Sequence, residues 1–182
     1  MNLEAWKSLG RRQILAAPPW LDVYQEAVEL PSGRRLDDFF RVVMPEFVVV
    51  VTLSADGQHV LVRGYKHGLG RVTLSPPAGV IEPGEEPLAA AQRELREETG
   101  FTAEEWHFLG KHIVDGNRQC GTMHSFVARG ARRTTVPVQS DAEELHVELL
   151  SRAGVLRALR NGEVGTLAGA AALAFALALD EC

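Results

Sequence analysis

The spacing of apolar and polar residues predicts strands over much of the chain. Residues 47–53 (FVVVVTL) form a continuous β-branched run, which is typical of a central strand buried on both faces. Shorter runs that alternate, or that end at turn residues, predict further strands at 20–30, 35–43, 60–65, 106–114, 123–129 and 144–150. The turn Pro31-Ser32-Gly33 joins the first two of these into a hairpin.

Helical periodicity is clearest between residues 87 and 99. Leu88, Ala91 and Leu95 fall three and four residues apart, Pro87 suits the first helical position, and Gly100 suits the residue after the end. Further helices are predicted at 151–161 and at 165–179, and a short one at 3–9. Because strands and helices do not alternate regularly, the fold class that we expect is α+β (mixed α/β).

The predicted helix at 87–99 carries an unusual ridge of acids. At about 100° per residue, Glu94, Glu97 and Glu98 project into one arc and repel one another. One interpretation is a solvated acidic face. The other is a divalent-cation site, because carboxylate oxygens are the ligands that Mg²⁺ and Mn²⁺ prefer beside phosphates. The second interpretation also accounts for Arg93 within the run and for Glu85 in the glycine turn before it.

Composition narrows the classes of protein that remain. The net charge is −5 and the pI about 5.7, which disfavours a broad nucleic-acid surface. Cys120 and Cys182 are too few for a disulfide framework. The beginning of the sequence lacks the apolar run of a secretory signal, and the apolar run 167–179 is shorter than the roughly 20 residues that span a bilayer. We therefore expect a cytoplasmic protein without a membrane or nucleic-acid partner.

The acidic helix and its flanks resemble the signature of the Nudix hydrolases. The positions that the signature constrains are filled by Gly79, Glu85, Arg93, Glu94, Leu95, Glu97, Glu98, Gly100 and Phe101. The resemblance implies a mixed β-sheet sandwiched between helices. It also implies hydrolysis of a nucleoside diphosphate derivative with bound Mg²⁺ or Mn²⁺.

Roles for individual residues follow from the same resemblance. It implies that the metal is held by the backbone carbonyl of Ala78 and by Glu94, Glu97 and Glu98, while Arg93 orients the carboxylates and Glu85 lies at the edge of the cluster. Acids of the late segment DAEEL are implied to bind metal and to assist the attacking water. Asp141 and Glu143 match these places, Glu144 is an alternative one residue along, and a solvated acidic loop remains open. The expected catalytic residues are therefore Arg93, Glu97, Glu98, Asp141 and Glu143, and Glu143 is also a candidate metal ligand.

The segments VLVRGYKHG, PPAG and DAEELHVEL resemble the ADP-ribose pyrophosphatase branch of these enzymes. This resemblance implies a helix and hairpin extension at 1–45 that forms a homodimer, and a hydrolase domain at 46–182. The implied substrate contacts are Trp20, Phe39 and Arg41 in the hairpin and Lys66 after a strand, with Phe40 beside them. Core packing of the phenylalanines and a surface role for Lys66 remain alternatives.

The substrate itself stays open at this point. Gly116 and Asn117 stand where the branch often has a proline, and Pro76 stands where it often has glutamate. Besides ADP-ribose, the alternatives are another nucleotide sugar such as a GDP-sugar, a dinucleoside polyphosphate, or a coenzyme. A non-catalytic sensor of a nucleotide metabolite is an alternative from a different class.

Overall fold

A computed structural model describes residues 3–138 and 144–179 of the protein. These residues separate into two compact units. One unit comprises the described residues up to 46 together with 112–122, and the other comprises 47–111 and the described residues from 123 onward. Two long strands, β9 (Glu105–Asp115) and β10 (Gln119–Arg133), contribute residues to both units.

The first unit contains an antiparallel sheet in the order β1 (Lys7–Ala17), β2 (Leu21–Glu29) and β3 (Arg35–Val43). The predicted β2–β3 hairpin is confirmed, and its turn is closed by a 2.9 Å bond from the Leu30 amide to the Arg34 carbonyl. The helix expected at 3–9 is wrong, because β1 begins at Lys7 and pairs with β2 along its length. A helix of that length is marginal on its own, whereas residues 7–17 gain backbone hydrogen bonds along one edge by pairing with β2.

The second unit is built on a mixed sheet. Strand β10 runs parallel to β4, with Met123 opposite Phe47. Strand β5 is antiparallel to β4, β6 and β11, and β7 is antiparallel to β4. The bounds of the strands not yet given are β4 (Phe47–Ser54), β5 (His59–Lys66), β6 (Arg71–Ser75), β7 (Ala78–Val80), β8 (Phe101–Thr102) and β11 (Leu145–Leu150).

Helices cover both faces of this sheet. On one face Val48 and Val50 belong to a cluster with Leu95 of α1 (Pro87–Thr99). On the other face Val49 and Val51 pack in a cluster with residues of α2 (Arg152–Arg160) and α3 (Leu167–Leu179). The predicted α+β fold, with a mixed sheet between helices and β4 buried on both faces, is therefore confirmed.

Strand β10 is longer than the sequence indicates. The sequence predicts a strand at 123–129, whereas β10 extends from Gln119 to Arg133. Gly130 has a φ of 64°, and the pairing with β4 shifts register between Ala128 and Ala131. A bulge of this kind lets a glycine remain within a strand, so Gly130 does not end β10.

None of the described helices combines the length and the apolar character needed to cross a membrane.

Candidate active site

The acidic helix α1 begins and ends where local chemistry requires it. A tight turn precedes it, in which the Glu85 amide donates to the Glu82 carbonyl at 3.0 Å and Gly84 has a φ of 82°. Pro87 is the first helical residue, and Gly100 ends the helix with a φ of 75°. The predicted bounds of α1 are therefore confirmed, and the turn brings Glu85 back beside the helix.

Arg93 is the centre of the acidic cluster. Its Nε and Nη2 atoms donate to the two oxygens of Glu85, each at 2.9 Å, and Nη1 donates to Glu94 at 2.6 Å. Nη2 also donates to the carbonyl of Val80 at 2.9 Å, and Glu97 lies 3.4 Å from Nη1. This pairing lowers the pKa of Glu85 and raises that of Arg93. The guanidinium thus holds three carboxylates of the signature in fixed positions.

Glu94 is the most enclosed of the carboxylates paired with Arg93. Its side chain is only 12 % exposed, and burial raises its pKa even though Arg93 is adjacent. It lies against Gly79 of β7, where an added Cβ would be 2.0 Å from Glu94 Oε1. The Glu94 carboxylate can therefore hold this position only because residue 79 is glycine and leaves the space of a side chain free. A buried carboxylate of raised pKa gains most from a nearby cation.

Glu98 contacts the neighbouring residue of β7. One of its carboxylate oxygens accepts a 3.0 Å bond from the backbone N–H of Ala78. Glu98 also lines a cavity of about 160 Å³ in the second unit, and Lys66 lines the same cavity. The remaining walls of this Glu98 cavity are formed by Phe47, Val49, Ser75, Pro76, Ala78, Thr166, Ala168 and Gly169. The structure thus brings Lys66, Ala78 and Glu98 together.

The donor set suits a hard divalent cation, although its side chains do not form a closed site alone. Among residues 3–138 and 144–179, no group of three or more His, Cys, Asp or Glu side chains is arranged to hold a metal ion. The predicted set also uses the Ala78 carbonyl and Glu143, and Glu143 lies outside the described residues. Glu94 and Glu98 face consecutive residues of β7. Their oxygens and a carbonyl are the donors that Mg²⁺ and Mn²⁺ take.

The substrate contacts expected in the hairpin divide into two groups within the first unit. Phe39 and Arg41 line one cavity of about 410 Å³. Arg41 lies 3.3 Å from the buried carboxylate of Glu26. Trp20 lies in the β1–β2 turn and is 71 % exposed. Since Phe39 pairs with Glu26, near the far end of β2, Trp20 and Phe39 do not meet in this unit.

The roles predicted for the acids of the late segment DAEEL stay predictions. Asp141 and Glu143 lie outside the described residues. The alternative, Glu144, is exposed and lies 3.5 Å from the ring of His146.

Comparison with known proteins identifies the family. A protein-family model described as "NUDIX domain" matches residues 44–166, which is most of the chain. The protein belongs to the NUDIX family. The matched span includes β7 and α1, and with them the cluster around Arg93, and it includes most of the residues that line the Glu98 cavity.

Curated relatives within this family carry related names. The chain is 38 % identical over 97 residues to an ADP-ribose pyrophosphatase of Bacillus subtilis, which covers 53 % of the chain and 51 % of that protein. It is 31 % identical over 117 residues to a methanol dehydrogenase activator of Bacillus methanolicus, which covers 64 % of the chain and 63 % of that protein. It is 38 % identical over 85 residues to the ADP compounds hydrolase NudE of Escherichia coli, which covers 46 % of the chain and 45 % of that protein. The matches thus span about half to two thirds of these relatives.

A solved structure shows the fold over a longer stretch. A crystal structure of an ADP compounds hydrolase superposes with a TM-score of 0.85, covering 100 % of this chain and 97 % of that one at 24 % identity. This likeness confirms that the chain has the fold of NUDIX proteins.

Sequence reasoning missed residues that the fold brings to both cavities. Trp6 lies edge-on to Phe39, with ring centroids 5.8 Å apart, and lines the first unit's cavity. Thr166 and Gly169 line the Glu98 cavity. One signal for Thr166 was available, because a threonine directly before an apolar run suits a helix N-cap. Nothing in the sequence pointed to Trp6.

Proposed function

We propose that the protein hydrolyses the diphosphate bond of a nucleoside diphosphate derivative, with ADP-ribose or a related nucleotide sugar as substrate. The observation that carries this proposal is the arrangement of Glu85, Glu94 and Glu97 around Arg93, with Glu98 in a cavity that also holds Lys66. The names of two of the curated relatives support the choice of an ADP compound. With ADP-ribose the products are AMP and ribose 5-phosphate.

We propose Mg²⁺ as the metal, with Mn²⁺ as a substitute. Glu94, Glu97, Glu98 and the Ala78 carbonyl would hold it, together with Glu143. When bound, a divalent cation neutralises phosphate charge and lowers the pKa of a bound water. Arg93 keeps the carboxylates in place through its bonds to Glu85 and Glu94. Lys66 supplies a positive charge to a phosphate oxygen at the cavity wall.

A carboxylate from the late segment accepts the proton of the attacking water in this proposal. Asp141 and Glu143 are the candidates, and Glu144 is the alternative. A base must come within about 3 Å of the oxygen that carries the proton, or reach it through one bridging water. Single changes to asparagine or glutamine at these three positions test the assignment, because loss of the base removes its contribution to the acidic limb of the pH–rate profile.

A nucleotide panel tests the reaction and its substrate. The purified protein is incubated with ADP-ribose, a GDP-sugar, a dinucleoside polyphosphate and NADH, each with Mg²⁺ and with EDTA, and the products are separated by chromatography. We expect Mg²⁺-dependent release of AMP from ADP-ribose. Tight binding of ADP-ribose without cleavage would favour a metabolite sensor, and cleavage of another substrate alone would reassign the specificity.

Changing single carboxylates to amides tests the cluster. We expect Glu94→Gln and Glu98→Gln each to lower kcat by at least about 100-fold, the upper end of the loss seen when the support of a metal site is altered. Glu86→Gln is the matched control, because Glu86 is exposed and its side chain does not cap α1. Circular dichroism should show all three variants folded. Normal turnover in both cluster variants would contradict the proposed site.

We further propose a division of the chain near residue 45, with the N-terminal sheet forming a homodimer. Large apolar side chains on β1 and its turns support this, since Leu9, Ile14, Leu15 and Trp20 are exposed and exposed apolar patches mark interaction sites. Sedimentation equilibrium should give twice the chain mass. The double variant Ile14→Lys/Leu15→Lys should sediment as a monomer, and an unchanged dimer would place the interface elsewhere.

A further inference from the structure

The linker between α2 and α3, residues 161–166, is anchored to β6 by a buried hydroxyl. Thr73 is 1 % exposed. Its Oγ1 donates to the Glu163 carbonyl at 2.8 Å and accepts from the Gly165 amide at 2.8 Å. The amide of Leu74 donates to the same carbonyl of Glu163 at 2.9 Å. A single side chain therefore fixes two backbone positions of the linker.

Charged groups and close packing add to this anchor. Arg63 of β5 binds the Glu163 carboxylate at 3.1 Å from its Nη2 atom. A Cβ on Gly165 would lie 2.9 Å from both Leu69 Cδ1 and Thr73 Oγ1. The linker thus approaches the sheet too closely for any residue larger than glycine at position 165 without a shift.

The anchored linker leads directly into the wall of the Glu98 cavity. Thr166 follows Gly165 and caps α3, since its carbonyl accepts from the Ala170 amide at 3.0 Å and its hydroxyl accepts from the Gly169 amide at 3.3 Å. Thr166 and Gly169 line the cavity together with Lys66 and Glu98. On the strand side, Ser75 lines the same cavity two residues after Thr73. The last residue of the linker, Thr166, is therefore part of the cavity wall.

We propose that Thr73 is a positioning residue for substrate binding, and that it acts by holding the α2–α3 linker against β6. This inference rests on the proposed function, because it takes the Glu98 cavity to receive part of a nucleotide diphosphate. Thr73 does not line the cavity. Its loss lets the wall at Thr166 and Gly169 move, which weakens contacts made equally in the ground state and the transition state.

The test compares Thr73→Val, which removes the hydroxyl, with Thr73→Ser, which keeps it. For ADP-ribose with Mg²⁺ we expect Thr73→Val to raise KM about tenfold, the scale of one or two lost hydrogen bonds, with kcat within about twofold of wild type. Thr73→Ser should restore KM. The matched control is Thr52→Val, because the buried Thr52 hydroxyl has no hydrogen-bond partner among the described residues. Thr52→Val should leave both constants unchanged.

The split between KM and kcat separates positioning from mere loss of folded protein. A smaller active fraction would lower kcat and leave KM alone, and that result in Thr73→Val would overturn the inference. Glu163→Gln provides a second route, because its side chain is partly exposed and its change removes only the charge paired with Arg63. We expect it to raise KM about threefold. A wild-type KM in Thr73→Val would also overturn the inference, whatever the result for Glu163→Gln. Wild-type turnover in these variants would leave the proposed function intact.

A binding measurement distinguishes failure of the inference about Thr73 from failure of the proposed function. The α,β-methylene analogue of ADP-ribose is titrated calorimetrically into wild type and Thr73→Val with Mg²⁺. Weaker binding by the variant supports the inference even if wild type does not cleave ADP-ribose. If wild type neither binds the analogue nor cleaves any nucleotide of the panel, both proposals fall.

Discussion

Single residues decide how so many carboxylates can share a small volume. Arg93 is bonded to both oxygens of Glu85 and to Glu94, so one positive charge is shared between two carboxylates and part of the negative charge is left for a cation. Glu94 is nevertheless buried enough that its pKa is raised. It can approach β7 only because residue 79 is glycine. The position of the Glu94 carboxylate therefore depends on Gly79 as well as on Arg93.

Gly79→Ala should separate function from stability at this residue. The added Cβ would overlap the end of the Glu94 side chain, which can rotate away. We expect activity to fall at least about tenfold, as when the support of a metal site is altered. The melting temperature should change by less than about 4 °C. Gly68→Ala is the control, because nothing lies within 4 Å of its Cβ position. Full activity in Gly79→Ala would mean that Glu94 does not need its observed position.

At the level of secondary structure, the end of α1 is set by backbone geometry. Helix α1 ends at Gly100, whose amide donates to the Arg96 carbonyl at 2.8 Å with the glycine in the left-handed region. The carbonyl of Gly100 then accepts from the amides of Thr134 and Thr135. The end of α1 is thus joined to the chain that follows β10, which fixes the helix that carries Glu97 and Glu98.

Gly100→Ala is expected to destabilise the protein by more than about 1 kcal/mol, since its φ is 75° and its Cβ would lie 2.2 Å from the backbone oxygen of Thr135. Urea unfolding measures the loss. Gly57→Ala isolates the contribution of the clash, because Gly57 has a φ of 79° but nothing within 4 Å of its Cβ position. The loss at Gly100 should exceed that at Gly57. Equal losses would mean that the contact with Thr135 carries no cost.

Whole-molecule stability depends on charges that join elements distant in sequence. Arg63 of β5 binds Glu148 of β11 and Glu163 of the α2–α3 linker. The hydrogen bond from Arg63 lowers the pKa of Glu148. A carboxyl group with a lowered pKa in the folded state stabilises the fold at pH values above its unfolded pKa, and that contribution disappears as pH falls through the folded pKa.

Glu148→Gln should therefore be less stable than wild type at pH 7, by up to about 1 kcal/mol for a partly exposed pair. The difference should shrink as the pH falls below about 4.5, the ordinary value for the group. Urea unfolding at a series of pH values checks both statements. A difference between the two proteins that does not vary between pH 7 and pH 3 would show that the charge of Glu148 does not stabilise the fold.

The sequence alone determined those features whose causes lie within a short stretch of chain. The bounds of α1 follow from Pro87, Gly100 and the apolar period between them, and the burial of β4 follows from its β-branched run. Glu94, Glu97 and Glu98 share a helix face because of helical geometry, so the acidic ridge was predictable. Local hydrogen bonds and periodicity need no distant partner.

Only the tertiary structure decided the features that depend on a distant partner. Strand β1 exists because β2 pairs with it, and β10 continues past Gly130 because a bulge preserves its pairing with β4. Trp6 meets Phe39, and Thr166 reaches the Glu98 cavity, through contacts between segments far apart in sequence. Strand pairing and cavity walls are formed by long-range contacts, which composition and periodicity do not encode.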